Sequence, residues 1–597
     1  MLLPIDLGID INTRKQVRLP DEVLSRHLHL FGASGTGKSV SINAVIRPIM
    51  AEPRKKAAVF IVDPLGGLSR DLLTWIASPR CPSHVQKRLV YVEAANNDIT
   101  LPFNPLQMAV GDDLFYHVAR TVDLMLRAWT AQDLGSQPRL LQWSYAAMMA
   151  IAATGQPISH CQYLLLPGSA EHKALIRSLP PMLQAQWNEI LQAKGSEPTR
   201  ILESTRNRWY PLYSAPQTRR MFGVPQGRLD IERMIDERRI VIINVAKMGK
   251  VSDMLGETIG SLVLNEIFET AFRMAAVRGR RSVDPTIVLL DEFQKFISPD
   301  IEEALPTLRQ TGLKLFLAHQ SFSQLVKGDM DLSSMIFQAQ NRLIFANNHD
   351  DADIVANELA IMRFNPNRIK DQIYQRKQQI VGHRIEWLES EGVTKSTGNA
   401  TVDQSCVGFN QATSVSRSLE PEDDTVRGRN TSQGDGSSNN HTTGSTYSSS
   451  ESRSNSRSQT RVPIYENFKE LSSQTYSSFD EQRLEWMKAV RQLKTGHCFG
   501  KFVDDDRLYN IRVKYEPVAE TARAQARVDE LVQRNYEQDF FISSAEADRQ
   551  GELARLKLLE QPKIIINTNN GLNDATNGIS SPQPKGPDPF QRPSSDL

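Results

Sequence analysis

Residues 27–50 read His-Leu-His-Leu-Phe-Gly-Ala-Ser-Gly-Thr-Gly-Lys-Ser-Val-Ser-Ile-Asn-Ala-Val-Ile-Arg-Pro-Ile-Met. The middle of this stretch, Gly32 to Ser39, fits the pattern Gly-x-x-x-x-Gly-Lys-[Ser/Thr]. Glycines there let successive backbone N–H groups turn inward into an anion nest. The pattern predicts phosphate contacts from Gly32, Ala33, Ser34, Gly35, Thr36, Gly37, Lys38, Ser39 and Val40. Lys38 is placed to reach β- and γ-phosphates, and the Ser39 hydroxyl to ligate Mg²⁺. Such a loop needs a strand before it and a helix after it. His27 to Phe31 can supply the strand. Val40 to Met50 can supply the helix, whose N-terminal end favours negative charge.

Outward from the loop, short apolar runs alternate with helical periodicity. Ala57 to Pro64 and Arg239 to Ala246 are continuous apolar runs closed by turn or polar residues. They read as parallel strands buried on both faces. Arg88–Val92, Thr286–Leu290, Leu313–Ala318 and Arg342–Ala346 read likewise. Leu255–Met274, Ile301–Gln310 and Asp350–Leu359 read as helices between them. Strands alternating with helices predict an α/β, doubly wound parallel sheet of RecA-like type. Between Leu114 and Ala153, leucine, methionine and alanine recur at helical spacing, which predicts an inserted all-α domain.

These shifts set the expected domains. Residues 1–108 and 236–365 form the two parts of the core, with the all-α domain at 109–235. A helical, polar connector follows at 366–411. A disordered linker is expected at 412–461, because eight of the twenty residues from His441 to Thr460 are serine. A return segment at 462–517 completes the core, with a helix at Phe479–Leu493 and a hairpin of 498–503 with 509–513. Amphipathic helices at 518–562 end the ordered chain. The Ser543-Ser544-Ala545-Glu546 run resembles a capping box for the last of them. Residues 563–597 are expected to be a disordered tail.

The totals exclude some function classes. The chain has 597 residues, with 70 Lys+Arg against 69 Asp+Glu. Net charge therefore advertises no nucleic acid, and any basic surface is local. The four cysteines (Cys81, Cys161, Cys406, Cys498) form no CxxC pair. That predicts a reducing, cytoplasmic setting. No apolar run approaches the ~18 residues of a membrane span, so any work at a membrane requires recruitment by a partner.

A phosphate loop requires a carboxylate at the end of a neighbouring strand. Thr286-Ile-Val-Leu-Leu-Asp291-Glu292 supplies it. Asp291 is expected on the metal and Glu292 on the attacking water as general base. Gln320 closes the 313–318 strand and can report the γ-phosphate. No Asn-Lys-x-Asp run selects guanine, so ATP with Mg²⁺ is the expected cofactor pair.

In order along the chain these motifs resemble the HerA–FtsK superfamily of P-loop ATPases. They resemble most the type IV secretion coupling proteins of the TraG/TraD kind. The likeness is carried by Gly32–Ser39, Asp63-Pro64, Phe103-Asn104-Pro105-Leu106, the helical insertion, Leu289-Leu290-Asp291-Glu292-Phe293, the Arg309–Gln320 stretch and Asn341–Phe345. It covers roughly residues 5–360, with a weaker echo at 463–517. It implies a hexameric ring that pumps DNA, with Arg309 as the arginine finger across subunits and Arg342 as second choice. The chain departs from the pattern in three ways. It lacks membrane helices, Leu65-Gly66 stands where Lys is frequent, and only about 25 residues precede the loop strand. A secretion-channel partner, or a nuclease or effector gated by an ATP-bound ring in repair or phage defence, therefore stays open. So does a protein-translocating ATPase.

Overall fold

The computed structural model describes residues 4–560 apart from 21–23, 25, 55, 109–112, 130–135, 248–249, 297–306, 328–329, 334–335, 337–338, 398–448 and 504. It divides into two units, residues 1–364 with 479–597, and residues 365–478.

The first unit is built on an eleven-stranded sheet. Its strands are β1 (Ile5–Asp10), β2 (Gln16–Leu19), β3 (Leu28–Phe31), β4 (Ala58–Asp63), β5 (Leu89–Glu93), β6 (Ile240–Asn244), β7 (Thr286–Leu290), β8 (Leu313–His319) and β9 (Asn341–Ile344). The second unit holds β10 (Ile369–Thr397) and β11 (Ser449–Tyr476), and the sheet finishes with β12 (His497–Lys501) and β13 (Leu508–Val513). The order is β2-β1-β13-β12-β9-β3-β8-β7-β4-β6-β5. From β9 to β5 every pairing is parallel. The doubly wound core is therefore as expected. The return hairpin β12–β13 does join the sheet, and β1–β2 extends it, both antiparallel.

The apolar runs are continuous because both faces are covered. In β4, Ala58, Phe60 and Val62 enter one core while Val59 and Ile61 enter the other. β6 and β7 alternate in the same way. Helices α1 (Lys38–Ala51) and α2 (Gly67–Ile76) pack on the second core. On the first core lie α3 (Leu114–Trp129), α4 (Pro138–Ala153) and α5 (Glu197–Ser214) of the helical insertion, with α6 (Asp253–Arg278). Trp129 meets Trp209 edge-on at 4.9 Å, and its indole N–H donates to Thr258 Oγ1 at 2.7 Å. One aromatic pair thus joins α3 to α5 and ties both to the core helix α6. Further along come α7 (His349–Arg363), α8 (Phe479–Arg491), α9 (Ala522–Tyr536) and α10 (Ser544–Glu560). Ser543 Oγ accepts the Glu546 N–H at 3.2 Å, half of the anticipated capping box.

Three expectations are corrected, the first being that the return segment belongs to the core only from 479, since residues 462–476 lie in β11 of the second unit. Residues 369–397 are a 29-residue strand, not a helical connector. Residues 449–460 are strand, not disordered linker: they pair with 386–397 in an antiparallel ladder. Residues 412–448, the start of the 301–310 helix and the tail from 563 lie outside the described residues; 307–311 are helical.

Candidate active site

Three consecutive strands, β3, β8 and β7, end side by side. β3 runs into Gly32–Ser39, β8 into Gln320, and β7 into Asp291 and Glu292. Open α/β sheets gather ligands outside the carboxyl ends of their strands. The fold therefore brings these predicted site residues to one edge.

The loop is pinned at its start. Gly32 N–H donates to His319 O at 3.3 Å and Ala33 N–H to Ala346 O at 2.9 Å. Thr36 Oγ1 donates to Ala33 O at 2.7 Å. Gly37 sits at φ 114°, and a Cβ there would lie 2.8 Å from Gly496 N and 2.9 Å from its Cα. Only glycine fits. Gly496 N–H donates to Thr36 O at 2.9 Å, so the return segment rests on the loop. Ser34, Gly35 and Ser39 stay exposed.

Lys38 is only 6% exposed. Its ammonium donates to Gly32 O, and to Ala33 O at 3.3 Å. Burial lowers its pKa, while Glu292 and Asp291 oppose the shift. Asp291 and Glu292 are buried at 7% and 5% exposure. Burial, then the nearby carboxylates of Asp63 and Glu292, pushes the Asp291 carboxyl up to about 7, against Lys38. Asp63 is fully buried and accepts three backbone N–H bonds at the start of α2, from Leu65 (2.9 Å), Gly66 (2.8 Å) and Ser69 (2.7 Å).

Glu292 has a left-handed backbone, φ 49°. One carboxylate oxygen accepts from Gln320 Nε2. The other accepts from Gln294 Nε2 at 2.5 Å. The two glutamines aim the carboxylate. Gln320 is thus joined directly to Glu292.

Arg309 is exposed, on the helical stretch 307–311 before β8. Among the described residues no side-chain bond draws it to its own loop. Arg342 is different: its side chain is 12% exposed and pairs with Glu358 at 3.4 Å.

Sequence reading missed Gln294, Gly496 and the part Asp63 plays. Gln294 lies two residues past Glu292, and no spacing rule marks it. Gly496 reaches the loop only through the tertiary fold.

A cavity of about 660 Å³ runs along α1 from Ser39 and Val40 past Asn43 and Arg47 to Trp75, with Tyr515 on its far wall. Arg47 lies 5.8 Å from the Trp75 ring.

Among the described residues no cluster of three His, Cys, Asp or Glu could hold a metal. Mg²⁺ at phosphate sites takes only one or two protein ligands and completes its shell with phosphate and water. Ser39 and Asp291 fit that need, and the crowded carboxylates of Asp63, Asp291 and Glu292 favour a cation.

Residues 11–132 match the family model described as the central domain of helicase HerA. Residues 285–379 match the model described as the TraM recognition site of TraD and TraG. The resemblance to HerA–FtsK P-loop ATPases of the TraG/TraD kind therefore holds at two separate segments. No curated protein matches the chain. Among solved structures, the bacterial conjugative coupling protein TrwBΔN70 is 13% identical, covering 87% of this chain and 91% of its own, at TM-score 0.45. Plasmid coupling protein TrwB with ADP and Mg²⁺ is 14% identical over 85% and 89%, at 0.44. VirB4 of Thermoanaerobacter pseudethanolicus is 13% identical over 59% and 86%, at 0.38. No helix among the described residues is long and apolar enough to cross a membrane.

Proposed function

We propose that this chain is the subunit of an ATP-hydrolysing ring, a hexamer, that moves DNA. One observation carries the reading. The phosphate loop, the Asp291–Glu292 pair and Gln320 stand at the ends of three adjacent strands, and Gln320 is hydrogen-bonded to Glu292. That arrangement suits a machine in which the state of the γ-phosphate must be reported.

In this reading the loop N–H groups and Lys38 hold the phosphates. The nucleoside enters the cavity along α1, where the Arg47–Trp75 pair faces it. Mg²⁺, held by Ser39 and Asp291, would neutralise charge on the phosphate oxygens. Glu292 accepts a proton from the attacking water. Gln320 moves with Glu292 and passes the change to β8. Arg309 faces solvent in its own subunit, as a finger for a neighbouring copy must, whereas Arg342, its side chain 12% exposed, is already paired with Glu358. The HerA and TraG/TraD segment matches support DNA as the track.

The test is nucleotide binding and turnover by paired variants. Lys38→Ala should weaken ATP binding about 100-fold, the loss of charge-assisted bonds worth about 3 kcal/mol. Glu292→Gln should bind ATP within about threefold of wild type yet hydrolyse it about 10³-fold more slowly, in the range for removal of a general base. Hydrolysis by Glu292→Gln at the wild-type rate would remove the assignment of the base.

A further inference from the structure

β10 and β11, among the described residues, form a sheet of two strands joined only to each other. A ribbon of two strands is marginal in water by itself. This one also exposes large apolar side chains. Tyr374, Ile380, Ile385, Trp387, Tyr465 and Phe468 are each at least 41% exposed. Among the described residues neither outer edge pairs with another strand, and such an edge is a template for one. Apolar exposure on this scale marks an interaction surface.

We propose that the occupant is a second copy of this chain. β11 of one subunit pairs with β10 of the next, and the ribbons of a ring close into an antiparallel barrel with two strands per subunit. Symmetry and charge both select this arrangement. A two-fold dimer satisfies one edge of each ribbon and leaves the other open, while a cyclic, head-to-tail arrangement closes both. Glu386 and Glu389 lie on β10, and Arg457 and Arg461 on the matching part of β11. Within one ribbon Arg457 pairs with Glu389 at 2.5 Å and sits 5.6 Å from the Trp387 ring. The repeating order β10–β11–β10–β11 sets each acidic stretch between two basic ones. Opposite charges on neighbouring strands stabilise pairing, and like charges oppose it. The inference rests on the ring reading for its symmetry, and on neither hydrolysis nor DNA.

The experiment uses the full chain carrying Cys406→Ser. Cys81, Cys161 and Cys498 are buried. One variant carries Arg457→Cys on β11. A series carries a single cysteine on β10, at Gln379, Ile385 or Glu389. Each is oxidised alone and in equimolar mixture, with ATP and without, and the mass of the assembly is measured in parallel. Cross-linked pairs containing one chain of each kind are expected in the mixture for at least one β10 position, at tenfold or more over either variant alone. Cross-linking by a single variant alone would mean like strand on like strand and overturn the proposal. A ring of full mass with no cross-link at any position would overturn it and leave the ring reading standing. Absence of any ring would overturn both. A second measurement guards against misfolded variants. Arg457→Glu with Arg461→Glu in one chain, and Glu386→Lys with Glu389→Lys in another, should each reduce assembly at least tenfold alone, and mixing the two chains should restore it, even though the ion pair within each ribbon stays broken in the mixture. Lack of rescue, in chains that still bind ATP, counts against the proposal.

Discussion

Glu292 occupies a backbone region that costs a non-glycine residue about 1–2 kcal/mol, and the fold pins its carboxylate between Gln294 and Gln320. Strain held in place by its surroundings is typical of functional positions. Asp291 shows a second tension. Its carboxyl is raised by burial and by Asp63 and Glu292 to about 7. The folded chain therefore binds this proton more tightly than the unfolded chain does. Its contribution to stability is full below about pH 4, where both states are protonated, and is lost as pH rises through 7. Metal-free protein should accordingly lose melting temperature between pH 5 and 8, and Asp291→Asn should flatten that slope and raise stability at pH 8. A thermal melt series without Mg²⁺ checks this. A wild-type slope retained in Asp291→Asn would place the buried charge elsewhere. Asp291 and Glu292 were legible in sequence because a strand that ends in acids is a local signal. Gln294 was not, since its bond to Glu292 depends on a turn that places the two side chains together.

At the scale of elements, legibility followed locality. β4, β6 and β7 were readable as buried strands because each feeds both cores, so every position is apolar. β10 and β11 were not. Their partners lie far apart in sequence, and the alternation that marks a strand is scrambled by shifts in register at Ile373/Tyr374 and Ile380/Gly382. Each such shift turns the following side chains to the opposite face. The β12–β13 hairpin was anticipated, but its reach to the phosphate loop was not, since the contact is between Gly496 and Thr36. That contact yields a contrast. Gly37→Ala drives a Cβ into the Gly496 backbone, while a Cβ on Gly496 meets nothing within 4 Å. Gly496→Ala should therefore cost only the strain of its positive φ, about 1 kcal/mol or a fivefold loss of nucleotide affinity. Gly37→Ala should cost at least tenfold more. Titration with a fluorescent ATP analogue separates them, and equal losses would mean that the return segment does not rest on the loop.

The whole molecule combines a nucleotide core, a helical insertion sharing its hydrophobic core, and a separate two-stranded unit. The sequence conveyed the first two through periodicity and motif, and misread the third. In the proposed ring exposed Arg309 would act across an interface, where an arginine finger is worth about 10³–10⁵ in rate. Wild-type rings doped with Arg309→Ala subunits should therefore lose more hydrolysis than the fraction of mutant subunits alone accounts for. A strictly proportional loss would remove the trans role. Arg342→Ala should act differently, lowering stability by about 1 kcal/mol, because Glu358 is 37% exposed and keeps its water when the partner is lost.

The central claim is that hydrolysis is coupled to DNA. The most direct measurement is the steady-state rate of ATP hydrolysis by purified chain with no nucleic acid, with single-stranded and with double-stranded DNA, using Glu292→Gln as the blank. The account predicts a low basal rate raised at least tenfold by one form of DNA, with turnover in the blank lower by about 10³-fold. A rate indifferent to both forms of DNA would contradict it.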